Sequence, residues 1–108
     1  MKDKIAQQNM DLFKELSPVF EALNDENRQR IVLLLADKNG KGMSVNEITK
    51  HIELSRPAVS HHLKFLRQSG VISFRKEGTE RFYYLTLKDS VNQMKMLIRM
   101  LEENCELV

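Results

Sequence analysis

Two short helical signals set almost end to end constrain this chain more than anything else in it. The first follows Ser44, an N-cap residue with Glu47 three positions on, which is the pattern of a capping box at the start of VNEITKHI. The second spans residues 55–70, SRPAVSHHLKFLRQSG. There Ser55 caps, Pro57 sits in the first turn where a missing N–H costs nothing, and Gly70 supplies the stop. A tight break at Glu53-Leu54-Ser55 joins the two, and Ile48, Ile52, Leu54, Val59 and Leu63 give them a common inward side. Such a pair is a helix-turn-helix over residues 44–69, whose second helix can enter a major groove with its first turns toward base edges. A helical hairpin with no nucleic-acid role has the same outline, so the outward face has to decide.

At about 100° per residue, Val59, His62, Leu63 and Leu66 fall on one side of that helix. Pro57, Ser60, His61, Lys64 and Gln68 fall on the other, which holds short or polar side chains, one cation and no carboxylate. A face free of acids suits a polyanion. The net charge of +2 is unremarkable until it is divided along the chain. Residues 1–54 carry eight Lys/Arg against nine Asp/Glu, residues 55–82 six against two, and residues 83–108 three against four. The positive charge is gathered into one contiguous quarter, and that asymmetry points to a nucleic-acid partner.

Past Gly70 the period changes from helix to strand. VISFRK and RFYYLTL, rich in β-branched and aromatic residues, flank Glu77-Gly78-Thr79-Glu80 and read as a hairpin, a wing over residues 71–87. Tyr83, Leu85 and Leu87 share one face, with Ile72 and Phe74 inward opposite them. Arg75, Lys76 and Arg81 flank the turn, placed to reach backbone phosphates or the adjacent minor groove.

The flanking segments are helical. Ile5, Leu12, Phe13, Leu16, Phe20 and Leu23 recur at three- and four-residue steps, with Ser17-Pro18 predicting a kink or a second helix restarting at Ser17. Asp25 caps the next helix, whose core stripe is Ile31, Leu34 and Leu35, and Asn39-Gly40-Lys41-Gly42 turns the chain. The last helix, residues 89–105, is expected to be capped by Asp89 or Ser90. Its Val91, Met94, Ile98, Leu101 and Cys105 form a seam at alternating steps of three and four, widened by Met96, Leu97 and Met100. That is more apolar surface than a small core can cover. It predicts a homodimer through the first and last helices, with Leu12, Phe13 and Leu16 contributing from the first. Packing of the last helix onto its own domain is the alternative. The whole is one domain, residues 1–108, mainly α with a small β-hairpin, in the order α-α-α-α-β-β-α of a winged helix-turn-helix.

Carried by LNDENR at residues 23–28 with the following IVLL, by SRPAVSHHLKFL at 55–66, and by RKEG at 75–78 leading to YYL, the chain resembles the ArsR/SmtB family of bacterial repressors over nearly its whole length. The resemblance implies a homodimer built on the first and last helices, binding an inverted-repeat operator in double-stranded DNA. It also implies repression by occlusion, relieved by an inducer. Many members sense metals through a Cys-x-Cys motif on the first helix of the helix-turn-helix, and the matching stretch here, Met43 to Thr49, has no thiol. A second family site uses Asp and His pairs on the last helix; Asp89 stands near the place, but no histidine follows it. The expectation is therefore no metal and no cofactor, with a small-molecule or redox signal as the candidate inducer.

The DNA-binding candidates are Ser55, Arg56, Pro57, Ser60, His61, Lys64, Arg75, Lys76 and Arg81. Arg56 can fork onto guanine O6 and N7 or hold a phosphate; Ser60 and His61 can reach base edges or backbone oxygens; the remaining cations suit phosphates. His62 lies nearer the inward face and reads as a hydrogen-bonded packing residue. Adjacent on a helix, His61 and His62 diverge by about 100° and cannot share one ion. Cys105, the one cysteine, excludes an internal disulfide and reads as a small apolar seam residue or a redox handle. No apolar run approaches the roughly 18 residues of a membrane helix, and the charged N-terminus lacks a signal-peptide core, so a cytoplasmic location is expected. No nucleophile–base–carboxylate set or phosphate loop appears, so no enzyme is expected. The rival to a DNA-binding regulator is a winged-helix protein-interaction module without specific DNA binding.

Overall fold

The structure, a computed structural model, describes residues 4–38 and 40–104. Among them are helices α1 (Lys4–Leu23), α2 (Glu26–Ala36), α3 (Val45–His51) and α4 (Arg56–Gln68), strands β1 (Ile72–Glu77) and β2 (Glu80–Leu85), and helix α5 (Lys88–Asn104). Three of the helix starts are fixed by the side chains the sequence offers for the task. The Asp25 carboxylate accepts from the Arg28 amide at 3.0 Å to cap α2. Ser44 and Glu47 form the reciprocal box at α3, the Glu47 amide donating to Ser44 Oγ at 3.2 Å and the Ser44 amide to Glu47 Oε1 at 3.3 Å. Ser55 Oγ accepts from the Ala58 amide at 3.3 Å to start α4. Such caps stabilise by about 1 kcal/mol each, and here they fix where the helix-turn-helix begins and turns.

Around that frame one core closes. Val19 and Ala22 of α1, Ile31 and Leu35 of α2, Ile48 and Ile52 around α3, Val59, Leu63 and Leu66 of α4, and Val71, Ile72 and Tyr83 of the hairpin are all buried in it. The strands pair antiparallel with Ile72 opposite Leu85 and Phe74 opposite Tyr83, the inward set the alternation predicts. Gly78, at φ +65°, makes the tight turn possible. A connection without a sequence signal ties this wing to the front of the helix-turn-helix: Met43 and Tyr83 exchange both backbone hydrogen bonds at 2.9 Å in an isolated bridge.

Several expectations need correction. Helix α1 runs through Ser17 and Pro18 without a restart. Strand β2 stops at Leu85, because the Thr86 amide turns to the Val71 carbonyl (2.9 Å) and its hydroxyl to the Gly70 carbonyl (3.1 Å). Helix α5 begins at Lys88, so Asp89 and Ser90 lie inside its first turn and neither is its cap. Leu16 is fully buried within the protomer, so it has no surface left to give a partner and drops out of the expected interface set. Leu97, expected to widen the apolar surface of the last helix, is buried, and α5 packs with α1. Cys105 lies outside the described residues.

On α1 and α5, Met10, Phe13, Phe20, Val91, Met96, Ile98 and Leu101 are exposed, while Leu12 and Met94 are half-buried. The protomer extends 51 × 29 × 23 Å. Its radius of gyration, 16.6 Å, exceeds the ~13 Å of a closed domain of this length.

Candidate nucleic-acid interface

The outward face of α4 and the inner edge of the wing enclose a groove of about 430 Å³. Arg56, Ser60, Lys64 and Arg67 line it from α4, at helical steps of four, four and three, so one face of one helix presents three cations in a row. Thr79, Glu80, Arg81 and Tyr83 line it from the wing, and Ser44, Val45 and Asn46 from the start of α3. Four cations thus face a single carboxylate, that of Glu80. The sign of this groove suits a nucleic-acid backbone flanked by helix and wing.

The wing is held against α4 by an aromatic joint. The Phe74 ring has the Arg81 guanidinium 4.5 Å from its centroid and that of Arg67 at 5.2 Å, one from the wing and one from the end of α4. It also packs on Tyr83 at a centroid distance of 5.6 Å. Two guanidiniums on one ring keep both charges near the groove while their apolar stems cover the aromatic surface. The groove is therefore a formed feature of the protomer.

The sequence-derived candidates divide under this geometry. Arg56, Ser60, Lys64 and Arg81 come together in the groove. Pro57 and His61 are exposed on α4 outside the groove lining. Ser55 spends its hydroxyl on the helix cap, so what it offers a ligand is backbone at the helix start. Arg75 is committed within the protein: Nε donates to Glu77 Oε1 at 3.0 Å, Nη2 donates to the Lys41 carbonyl, and the guanidinium lies 5.6 Å from the Phe82 ring centroid. These contacts brace the wing against the turn before α3. Lys76 is exposed and pairs in register with Arg81, whereas Glu77 pairs with Glu80. These like-charged pairs oppose pairing at the wing tip, and Arg75 offsets the Glu77 charge.

Arg67, Asn46 and Thr79 also line the groove, though none is among the sequence-derived candidates. The spacing of Arg67 from Lys64 on the outward side of α4 is a usable signal for the first; the other two have none, since only the fold brings them there.

Behind α4 lies a second polar cluster. His62 is 16 % exposed in its side chain, and its Nδ1 is buried with no hydrogen-bond partner, 4.0 Å from Asp25 Oδ2. The packing role expected of His62 is met; the hydrogen bond at Nδ1 is not. Arg28 Nε donates to the Ala22 carbonyl at 2.6 Å and Nη2 to that of Glu21 at 3.3 Å, while its guanidinium lies over Phe65 of α4, 4.3 Å from the ring centroid. The amide of Arg28 donating to Asp25 holds that carboxyl below its ordinary 3.8, helped by the charges of Arg28 and His62 against the opposing cost of burial. Among the described residues no group of three or more His, Cys, Asp and Glu side chains is placed to hold a metal, and no helix is long and apolar enough to cross a membrane.

Comparison with known proteins gives the same picture. Residues 25–73 match the family model described as bacterial regulatory protein, arsR family. An uncharacterised helix-turn-helix transcriptional regulator of Methanocaldococcus jannaschii is 34% identical over 94 residues, covering 87% of this chain and 99% of that protein. The transcriptional repressor SdpR of Bacillus subtilis is 38% identical over 82 residues, 73% of this chain and 88% of the relative. Among solved structures, an ArsR-like transcriptional regulator from Rhodococcus sp. RHA1 superposes with a TM-score of 0.74 at 28% identity, covering 87% of this chain and 84% of its own.

Proposed function

The chain belongs to the ArsR family of winged-helix, DNA-binding transcriptional regulators, and from that premise we propose that it acts as a homodimeric repressor on an inverted-repeat operator. The observation that carries this reading is the groove between α4 and the wing, with Arg56, Lys64, Arg67 and Arg81 facing it. In the proposed complex the two α4 helices enter major grooves one helical turn apart, where Ser55 and Pro57 shape the first turn that meets the DNA. Arg56 reads guanine or holds a phosphate, Ser60 and His61 reach base edges or backbone oxygens, and Lys64, Arg67 and Arg81 neutralise phosphates. Lys76, exposed at the wing tip, adds a peripheral contact.

The protomers join through the exposed apolar sides of α1 and α5, with Phe13, Val91, Ile98 and Leu101 as the main contacts and Leu12 and Met94 at their margins. The repressor sense follows that of the Bacillus subtilis relative, a transcriptional repressor. Release by a small-molecule or redox inducer, a cytoplasmic site of action and the lack of a catalytic step complete the proposal.

The test begins with a duplex selected from a random library by the wild-type protein. Arg56→Ala combined with Lys64→Ala lowers affinity for that duplex by about 10- to 1,000-fold. It also reduces the magnitude of the log affinity–log salt slope for a dimer, by about two if Arg56 reads guanine and by about four if it holds a phosphate, since each protomer then neutralises one or two fewer phosphates. Unchanged affinity and slope in the double variant refute the reading.

A further inference from the structure

Helix α1 is finished by residues that do not belong to it. Its last turn holds no basic side chain, and the last carbonyls of a helix have no intrahelical donor. The start of α2 supplies both. Arg28 donates from Nε to the Ala22 carbonyl at 2.6 Å and from Nη2 to that of Glu21 at 3.3 Å, and Gln29 donates to the Leu23 carbonyl at 2.8 Å. A cation at this end is also favoured by the helix dipole. The same guanidinium then turns its face to another helix. It lies 4.3 Å from the ring centroid of Phe65 of α4, the shortest such approach among the described residues, and the Arg28 side chain is only 14% exposed. Arginine is suited to both tasks at once, donating in the plane of its fork while stacking on a ring across it. Phe65 itself does not line the groove, but Lys64 before it and Arg67 two positions on both do. The apolar core that α1, α2 and α4 share is non-directional, whereas the bonds and the stack of Arg28 have fixed directions.

We propose that Arg28 is a positioning residue for DNA recognition. Bonded to the end of α1 and stacked on Phe65, it fixes the angle between a helix that joins the two protomers and the helix that enters the major groove, and so sets the half-site spacing the protein accepts. This rests on the dimeric, operator-binding role proposed above and names a residue that determines its specificity without touching DNA. Recognition helices one turn of DNA apart are separated by about 34 Å, so each stands about 17 Å from the two-fold axis. Rocking α4 by about 10° at that distance moves it by about 3 Å, close to the rise of one base pair. A joint that is only slightly loose therefore blurs the spacing, while each helix keeps its own cations and its own fit to a half-site.

The probe is the duplex selected from a random library by the wild-type protein, with one base pair inserted or removed at its centre of symmetry. Arg28→Met keeps an apolar stem beside Phe65 without the bonds to α1, Phe65→Leu keeps α4 apolar without the ring, and Phe65→Tyr keeps the ring. The altered spacing lowers wild-type affinity at least about tenfold, because the second helix no longer falls where its tether delivers it. In Arg28→Met and in Phe65→Leu that discrimination falls to about twofold or less, whereas Phe65→Tyr retains it. All bind an unrelated duplex at low salt as the wild type does, since that needs only the cations of the groove. A loss of affinity that is equal at every spacing means a structural role only and overturns the proposal, as does discrimination that either variant keeps. Phe65→Leu leaves the bonds to α1 in place and decides alone if Arg28→Met does not fold. A DNA-free measurement uses spin labels at Lys14→Cys of α1 and Gln68→Cys of α4, both exposed positions, in a Cys105→Ser chain. Mixed with excess unlabelled protein, the labels report the distance between α1 and α4 within one protomer. Its distribution broadens in Arg28→Met and Phe65→Leu and not in Phe65→Tyr; an unchanged distribution overturns Arg28 as the joint. If the wild-type protein shows no preference in spacing, it is the two-fold operator reading that fails, and the distance distribution still decides for or against the joint.

Discussion

Asp25 shows how much one side chain can carry at the start of a helix. Its carboxylate satisfies an amide that α2 leaves without an intrahelical partner, and the same charge lies 4.0 Å from both an Arg28 nitrogen and His62 Nδ1. The bond from the Arg28 amide dominates in holding the carboxyl below 3.8. A group depressed in the folded state contributes stability that is fully present above its unfolded value and disappears as pH falls through its folded one. Asp25→Asn keeps the cap but has no proton to take up. The wild type should therefore be the more stable of the two at neutral pH, with the difference closing as pH drops below 3.8. Urea unfolding of both proteins across that range checks the prediction; a gap that stays constant or widens on acidification contradicts it.

Among the elements, the join between wing and helix-turn-helix is the most exacting. Gly42 has φ +80°, and a Cβ there would come within 3.1 Å of the Tyr83 carbonyl oxygen, 3.2 Å of Phe82 Cβ and 3.3 Å of Arg75 Nη1. Gly40 has the same φ with nothing within 4 Å. Gly40→Ala should therefore report the backbone penalty alone, about 1 kcal/mol, whereas Gly42→Ala adds crowding at the Met43–Tyr83 bridge and should cost about 2 kcal/mol or more. Thermal denaturation should rank them in that order, and equal losses would show that the bridge tolerates displacement. The sequence announces α3 and α4 because caps and helical spacing are local properties, written within a few residues of Ser44 and Ser55. The wing is legible for a similar reason, since strict alternation sets Phe74 against Tyr83. Local rules carry less where the chain meets itself. A one-residue bridge such as Met43–Tyr83 has no period to detect. The extra half-turn that starts α5 at Lys88 follows from where the hairpin releases the chain, with the Val91 amide bonding the Leu87 carbonyl at 2.7 Å. That Arg75 meets Glu77 and the Lys41 carbonyl likewise emerges only from the fold, as does the placing of Asn46 and Thr79 in the groove.

The molecule as a whole is extended, and α1 and α5 pack together, with Val19 and Ala22 near the end of α1 joining the core. Leu97 of α5 is buried, yet Phe13 is 41%, Val91 38%, Ile98 52% and Leu101 43% exposed. Leaving large apolar residues on two adjacent helices in water is unfavourable by an amount that scales with their area, and a second copy presenting the same surface removes it. In a two-fold arrangement every residue near the axis is represented twice, so Ile98→Glu with Leu101→Glu would bring four carboxylates into a dehydrated interface. The expected outcome is a protomer that keeps its helical circular dichroism but sediments as a monomer at micromolar concentration. It should also bind the selected duplex at least about 100-fold more weakly, because the second recognition helix no longer arrives already tethered to the first. Leu97→Ala makes the contrast. It opens space inside one chain, so it should lower the unfolding temperature of the protomer while leaving the proposed pairing surface in place. A double Glu variant that still sediments as a dimer would move the interface elsewhere on the protein, and with it the spacing at which the two α4 helices meet DNA.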